Sequence, residues 1–288
     1  MTRCFSVRMV KKDLKLYKGD FALGMSKLPN CSVDMVLTSP PYDSARAYDG
    51  SIHSWNWEKF MLLVSELQRV LKPGGVVIWV VNDSTIDGSE TGTSFKQALY
   101  FKNSGFKLYD TMLYCKSGLT MNHRRYEQEF EYMFVFSKGK PKTFNPIRVP
   151  CLYPEKPGCR QGQTYSKSTE KGRKAGSLHR RNPVKATKIH SNIWRYSVGK
   201  NHSTLDEYAF EHPAIFPEKL CIDQIVSWSN EGDTILDPMM GSGTVGKCCA
   251  LLKREFIGME VNTRYYEIAK RRVKEGLHEA KNWDTEAD

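Results

Sequence analysis

An α/β fold, built on an open and mostly parallel sheet of about seven strands, is what this 288-residue chain predicts. Three observations lead there. Val76 to Val81 is an unbroken apolar run of strand length, the pattern of a strand buried on both faces of a parallel sheet. Apolar runs of strand length alternate with helical periodicity at both ends of the chain, as βαβ units require. Finally, two turn-forming stretches each follow a short apolar strand: Thr38-Ser39-Pro40-Pro41-Tyr42, and Asp237-Pro238-Met239-Met240-Gly241-Ser242-Gly243-Thr244. That placement puts both at the carboxyl edge of the sheet, where open α/β folds bind their ligands.

The elements follow in order. Leu14 to Tyr17 reads as a strand ending at Gly19-Asp20, and a short helix to about Leu28 leads through Pro29-Asn30 into the strand Val33 to Leu37. After an irregular stretch, Phe60, Leu63, Val64, Leu67, Val70 and Leu71 recur at the three-and-four spacing of an amphipathic helix, stopped by Lys72-Pro73-Gly74-Gly75. Two β-rich runs, Phe106 to Cys115 and Phe130 to Phe136, form an antiparallel pair. Residues 141–205 then lose the pattern and read as a polar insertion or arm, not sheet. Regularity returns with a helix from about Pro217 to Ser229 and the strand Thr234 to Leu236. A helix from Thr244 to Leu252, the strand Phe256 to Met259 and a charged helix from Arg264 to about Glu275 complete the chain.

Charge is concentrated in one place. The chain carries a net +11, yet residues 141–205 alone hold 14 Lys/Arg against 2 Asp/Glu, so everything else is close to neutral. Arg173, Lys174, Arg180, Arg181, Lys185 and Lys188 are interleaved there with Gln, Ser, Thr and Asn, types that contact nucleic-acid phosphates and base edges. A solvated flexible loop is the plain alternative. Eight cysteines are scattered without a Cys-x-x-Cys pair or close histidine partners, which argues against a zinc site and a secreted disulfide scaffold. No run of 18 apolar residues occurs, and Met1-Thr2-Arg3-Cys4-Phe5 lacks the apolar stretch of a secretory signal; a cytoplasmic protein without membrane association is expected.

The glycine turn admits three readings. Gly241-Ser242-Gly243-Thr244-Val245-Gly246 matches G-x-G-x-x-G, but too few residues follow to complete a dinucleotide fold. As a nucleotide P-loop it lacks the Ser or Thr that hard Mg²⁺ requires, since Cys248 stands there. A Pro directly after Asp237, with Glu260 closing the next strand, suits a compact nucleoside cofactor, S-adenosyl-L-methionine. Asp237 then sits near the ammonium, the glycines let the backbone approach the methionine part, and Glu260 accepts from the ribose hydroxyls. Asp20 is a candidate for the adenine amino group, although an Asp after Gly also simply forms turns. Because this cofactor half comes last in the chain, the sheet is expected to be circularly ordered.

Leu37-Thr38-Ser39-Pro40-Pro41-Tyr42 resembles the catalytic motif of the β group of amino-group DNA methyltransferases, in the Ser-Pro-Pro-Tyr form associated with N4 of cytosine. N6-adenine enzymes more often carry Asp or Asn in place of Ser39. The order of catalytic motif, recognition region and glycine loop is also that of the β group, and His212 to Leu220 is similar to the segment preceding its glycine loop. The resemblance covers residues 14–137 and 206–273, and it implies a Rossmann-like methyltransferase fold. It also implies Ser39, Pro40, Pro41 and Tyr42 as the catalytic set. The cofactor set becomes Asp20, Thr38, Phe216, Pro217, Asp237, Pro238, Met239, Gly241, Ser242, Gly243, Thr244 and Glu260.

Those residue types suit the chemistry. An exocyclic base amine is a poor nucleophile, because its lone pair is delocalised into the ring, so acceptors must favour the localised form in the transition state. The Ser39 hydroxyl and the Pro40 carbonyl can accept the two amine hydrogens, and Tyr42 offers a face to a flipped base. Pro150-Cys151 matches the pair used by cytosine C5 enzymes, but it lies in the basic segment and direct amine methylation needs no thiolate; Cys151 reads as incidental.

The expectation is therefore a sequence-specific, S-adenosyl-L-methionine-dependent methyltransferase acting on cytosine N4 in double-stranded DNA, with N6-adenine as the alternative. A non-catalytic nucleic-acid-binding protein and an RNA methyltransferase are further alternatives. Residues 1–140 and 206–288 form the catalytic and cofactor domain, and 141–205 the target-recognition segment. No metal is expected; the oligomer is a monomer or homodimer, and a companion restriction endonuclease is a further candidate partner.

Overall fold

β1 (Leu14–Lys18), α1 (Phe21–Met25) and β2 (Val33–Thr38) make the opening βαβ unit. The computed structural model describes residues 14–41, 55–117, 125–151 and 185–286. α2 (Trp57–Val70) starts where the Asn56 side chain accepts from Lys59 N at 2.9 Å, and it buries Phe60, Leu63, Val64, Leu67 and Val70. β3 (Leu71–Val81) follows directly, with Val76–Val81 buried throughout. A small hairpin, β4 (Thr85–Ile86) with β5 (Ser89–Glu90), leads to α3 (Thr93–Asn103), then β6 (Lys107–Ser117) and β7 (Phe130–Ser137). After β8 (Arg148–Pro150), β9 (Thr187–Ile189) and β10 (Ile193–Ser197) come a 3-10 helix (Glu207–Glu211) and α4 (Glu218–Trp228). β11 (Thr234–Asp237), α5 (Thr244–Leu251), β12 (Glu255–Glu260) and α6 (Thr263–Glu286) close the chain.

Eight strands form one sheet in the order β1-β12-β11-β2-β3-β7-β6-β10, and only β7 runs against the others. The last two strands in sequence thus insert between the first two, which is the circular order expected of a late cofactor half. β6 and β7 form the expected antiparallel pair.

Four features depart from the sequence reading. The eighth strand, β10, lies inside the stretch expected not to be sheet; it pairs parallel to β6, with Trp194 and Tyr196 turned inward and Ile193, Arg195 and Ser197 exposed. Its five residues alternate as a strand should, but they are too few to stand out in basic surroundings. α3 was not anticipated, because its buried face is partly polar: Ser94 and Gln97 are buried beside Ala98 and Phe101, and Gln97 Oε1 accepts from Trp79 Nε1 at 2.8 Å. α6 continues well past Glu275. Gly276 does not end it but packs it, since a Cβ there would meet Lys247 Cγ at 3.0 Å. The small β4–β5 and β8–β9 pairs were likewise not anticipated.

The compact units are residues 1–145 with 192–288, and Pro146–Ser191, so the second unit is narrower than 141–205. Within it β8 and β9 pair antiparallel, and Arg148 forks onto Thr187, donating from Nε to Oγ1 and from Nη2 to the carbonyl, both at 2.9 Å. Lys185 and Lys188 are exposed. Among the described residues, no helix is long and apolar enough to cross a membrane. Tyr42, Arg173, Lys174, Arg180 and Arg181 lie outside the described residues.

Candidate functional site

Four neighbouring strands deliver the site. In sheet order their carboxyl ends present Gly19-Asp20 after β1, Glu260 at the end of β12, Asp237 at the end of β11, and Thr38 at the end of β2, where Ser39-Pro40-Pro41 begins. Three acidic groups and two turns that are far apart in sequence therefore share one edge.

The turns touch through a buried bond. Thr38 Oγ1 donates to Asp237 Oδ1 at 2.8 Å across 199 residues of chain, and Met239 N donates to the same oxygen at 3.1 Å. Burial pushes the Asp237 carboxyl up to about 7 against the pull of those two bonds, and the nearby Glu260 charge adds to the rise. Glu260 accepts from Gly241 N at 2.9 Å through Oε2 and from Asn262 N at 2.8 Å through Oε1. Burial raises its pKa too, opposed by those backbone bonds. Val261 N is a third backbone donor to this carboxylate, which still leaves it acceptor capacity. Asp20 caps α1 through Ala22 N at 2.9 Å and takes the Lys59 ammonium at 2.7 Å. Partial burial acts to raise its pKa, but the Lys59 bond and charge with the Ala22 bond bring it below the ordinary value.

The glycine turn is braced from behind. Gly241 and Gly243 have φ of +50° and +77°, backbone that side chains rarely adopt. A Cβ on Gly243 would come within 2.6 Å of Ala269 Cα on α6, and one on Gly241 within 2.8 Å of the His212 ring. Gly243 is thus required by helix packing rather than by approach to a ligand. Arg272, also on α6 and fully buried, donates to Thr244 Oγ1 at 2.7 Å and to the Ser242 carbonyl at 3.2 Å. Its other donors reach Asp206 Oδ2 at 2.8 Å and Glu218 Oε1 at 2.7 Å. Lys247 joins the same two carboxylates, at 2.9 Å and 3.1 Å. The lysine that a P-loop would aim at phosphate is therefore engaged inside an ion cluster.

A cavity of about 460 Å³ opens over this edge. Asp20, Phe216, Asp237, Pro238, Met239, Gly241, Ser242, Thr244 and Glu260 line it, together with Ser39 and Pro41 of the other turn. Thr38, Pro40, Pro217 and Gly243 do not line it: Thr38 spends its hydroxyl on Asp237, and Pro217 caps α4. Several lining residues carried no sequence signal. Phe21 and Lys59 sit on ordinary helices, while Tyr114, Lys116 and Glu131 come from β6 and β7, on the far side of β3 from Ser39. Arg272 lies on a helix whose charge pattern reads as solvated.

Residues 33–271 match the family model described as DNA methylase, for N6 and N4 amino groups. The chain belongs to this DNA methylase family. The orphan methyltransferase M.BamHII of Bacillus amyloliquefaciens is 49% identical over 248 residues, covering 85% of this methylase and 90% of that protein. The DNA adenine methyltransferase YhdJ of Escherichia coli (strain K12) is 28% identical over 283 residues, 96% of this chain and 88% of its own. Among solved structures, the PvuII DNA methyltransferase, described as cytosine-N4-specific, superposes with a TM-score of 0.66 at 18% identity, over 92% of this chain and 90% of that one. The likeness shows the Rossmann-like methyltransferase fold.

The family's methyl donor is S-adenosyl-L-methionine. The cavity suits it on three counts: carboxylates at three adjacent strand ends, apolar Phe21 and Met239 in the same lining, and a glycine turn in left-handed conformation.

Proposed function

We propose that this methylase transfers a methyl group from S-adenosyl-L-methionine to the N4 amino group of cytosine, at a specific sequence in double-stranded DNA and directly onto a flipped base. The Thr38–Asp237 hydrogen bond carries the proposal, because it makes the Ser-Pro-Pro turn and the glycine turn neighbours over one cavity. A donor held by one turn and an amine held by the other are then within in-line reach, and proximity of that kind contributes several kcal/mol to the barrier reduction.

The donor supplies an electrophilic methyl on a sulfonium. Asp237 faces the methionine ammonium, Glu260 accepts from a ribose hydroxyl through its remaining acceptor capacity, and Asp20 takes the adenine amino group beside Phe21 and Met239. The Met239, Gly241, Ser242 and Thr244 turn encloses the methionine part, with Phe216 opposite. Thr38 acts through Asp237, and Pro217 and Gly243 through the segments they anchor. Ser39 Oγ accepts an amine hydrogen, helps localise the nitrogen lone pair, and holds the proton that the nitrogen sheds before it passes to water, while Pro40, outside the lining, stiffens the turn that aims it. Tyr42 stacks on the flipped ring.

Ser39 at the head of the turn favours cytosine, and the PvuII enzyme of the same fold is described as N4-specific. Adenine N6 is the second reading, favoured by the relative YhdJ. The basic unit, with exposed Lys185 and Lys188 and the sequence neighbours Arg173, Lys174, Arg180 and Arg181, is proposed to contact DNA phosphates in the cytoplasm. Digesting DNA from expressing cells to nucleosides and separating them by mass tests the base. N4-methylcytosine is expected; N6-methyladenine alone overturns the cytosine proposal.

A further inference from the structure

The same cavity has a wall that neither turn supplies. Tyr114 and Lys116 on β6 and Glu131 on β7 line it. Tyr114 and Glu131 are directly paired across the strands, and the Lys116 ammonium is ion-paired with Glu131 and lies 5.7 Å from the centre of the Tyr114 ring. Glu131 is only 4% exposed. On an open hairpin surface such a pair contributes little. In a cavity wall it is different, because a buried carboxylate needs its cation, and an ammonium has three donors, so those beyond the one given to Glu131 can serve a cavity occupant.

The placement matches the size of a base. Ser39 follows β2 and Glu131 is the second residue of β7, and the axes of those two strands are two steps apart in the sheet, about 10 Å at 4.8 Å per step. A pyrimidine with a hydrogen bond of about 2.9 Å at each end of its pairing edge spans nearly the same. With the amine of cytosine at Ser39, the rest of that edge presents two adjacent acceptors, N3 and O2, toward the far wall. An ammonium has several donors and no acceptor, so it complements both. Adenine presents one acceptor, N1, and then a C–H, which leaves a donor facing carbon.

Given cytosine as the target, as proposed above, we infer that Lys116, held by Glu131, donates to N3 and O2 of the flipped base and so makes the site select cytosine over adenine. Lys116 is the contact and Glu131 the positioning residue.

The test pairs a residue change with an atom change. A duplex carrying the site mapped from methylated host DNA is made with cytosine or with 3-deazacytosine, which replaces N3 by C–H, at the target. Parent, Lys116→Met, Lys116→Arg and Glu131→Gln are compared on both, with S-adenosyl-L-methionine affinity measured by calorimetry as a check of folding. The parent should lose roughly 10- to 100-fold in kcat/KM on the deaza duplex. Lys116→Met should lose a similar factor on the normal duplex and almost nothing further on the deaza one. Lys116→Arg should recover part of the loss, and Glu131→Gln should show a smaller fall with its sensitivity to the deaza change reduced.

A parent indifferent to the deaza change overturns the inference without any variant. So does a folded Lys116→Met that remains as sensitive to it as the parent; in both cases N4-methylcytosine as the product leaves the cytosine proposal standing. N6-methyladenine as the only product removes that proposal and this assignment together.

Discussion

The glycine turn after β11 and the proline turn after β2 face one cavity, yet they are held in opposite ways. Gly241 to Thr244 has little stiffness of its own; its left-handed backbone is kept in place by Ala269, His212 and the Arg272 cluster, all from other elements. Ser39-Pro40-Pro41 carries its stiffness in two pyrrolidine rings and is joined to the rest of the site through Thr38. Damage to the first region should therefore register as lost stability and cofactor affinity. Damage to the second should register as lost turnover in a protein that still folds and binds.

Arg272→Met is expected to have the largest effect. It leaves Asp206 and Glu218 with Lys247 alone in a buried cluster, and breaking such a pair costs about 3–5 kcal/mol. Thermal unfolding should shift down strongly, and S-adenosyl-L-methionine affinity should fall with it. Ser39→Ala comes next: turnover should drop roughly 10- to 100-fold, with the unfolding temperature and cofactor affinity nearly unchanged. If Ser39→Ala instead unfolds as early as Arg272→Met, the contrast between the two turns is wrong.

The smallest change sharpens the comparison at the point where the regions meet. Asp237 titrates near 7 in the fold against 3.8 ordinarily. Between those values the folded protein binds a proton that the unfolded chain releases, so this group's effect lowers stability as pH rises from about 4 to 7. Asp237→Asn keeps the acceptor for Thr38 and removes the titration. The protein without cofactor should gain stability relative to the parent as pH rises through this range and level off above about pH 7. Cofactor affinity should move the other way: the parent should bind more tightly at pH 8 than at pH 6, where the carboxylate facing the ammonium is protonated, and the Asn variant should be weaker and flat. Unfolding and calorimetric titrations across that range check both signs.

Much of the sheet was legible from residue patterns. The run Val76 to Val81, the short strands ahead of each turn and the late position of the glycine turn together implied a mostly parallel sheet in circular order. α3 and β10 were not legible, for related reasons. α3 buries Ser94 and Gln97, so its inner face lacks apolar periodicity, and the short β10 sits in a segment whose charge dominates its composition. In the site, Asp237, Glu260 and Ser39 were visible because each sits at a strand end in a recognisable turn. Lys116, Glu131 and Lys59 were not, because a charged residue on a regular strand or helix looks the same whether it faces water or a cavity.

By itself the sequence determined which turns this methylase owns and that both lie at strand ends, since turn chemistry and hydrophobic period are properties of a few adjacent residues. Only the tertiary structure decided what those turns rest on. Arg272 is buried because partners 28, 54 and 66 residues away supply its acceptors, and Thr38 meets Asp237 across 199. The fate of a charge depends on such distant groups, for burial is tolerable only where the fold brings a counter-charge and hydrogen-bond partners to meet it.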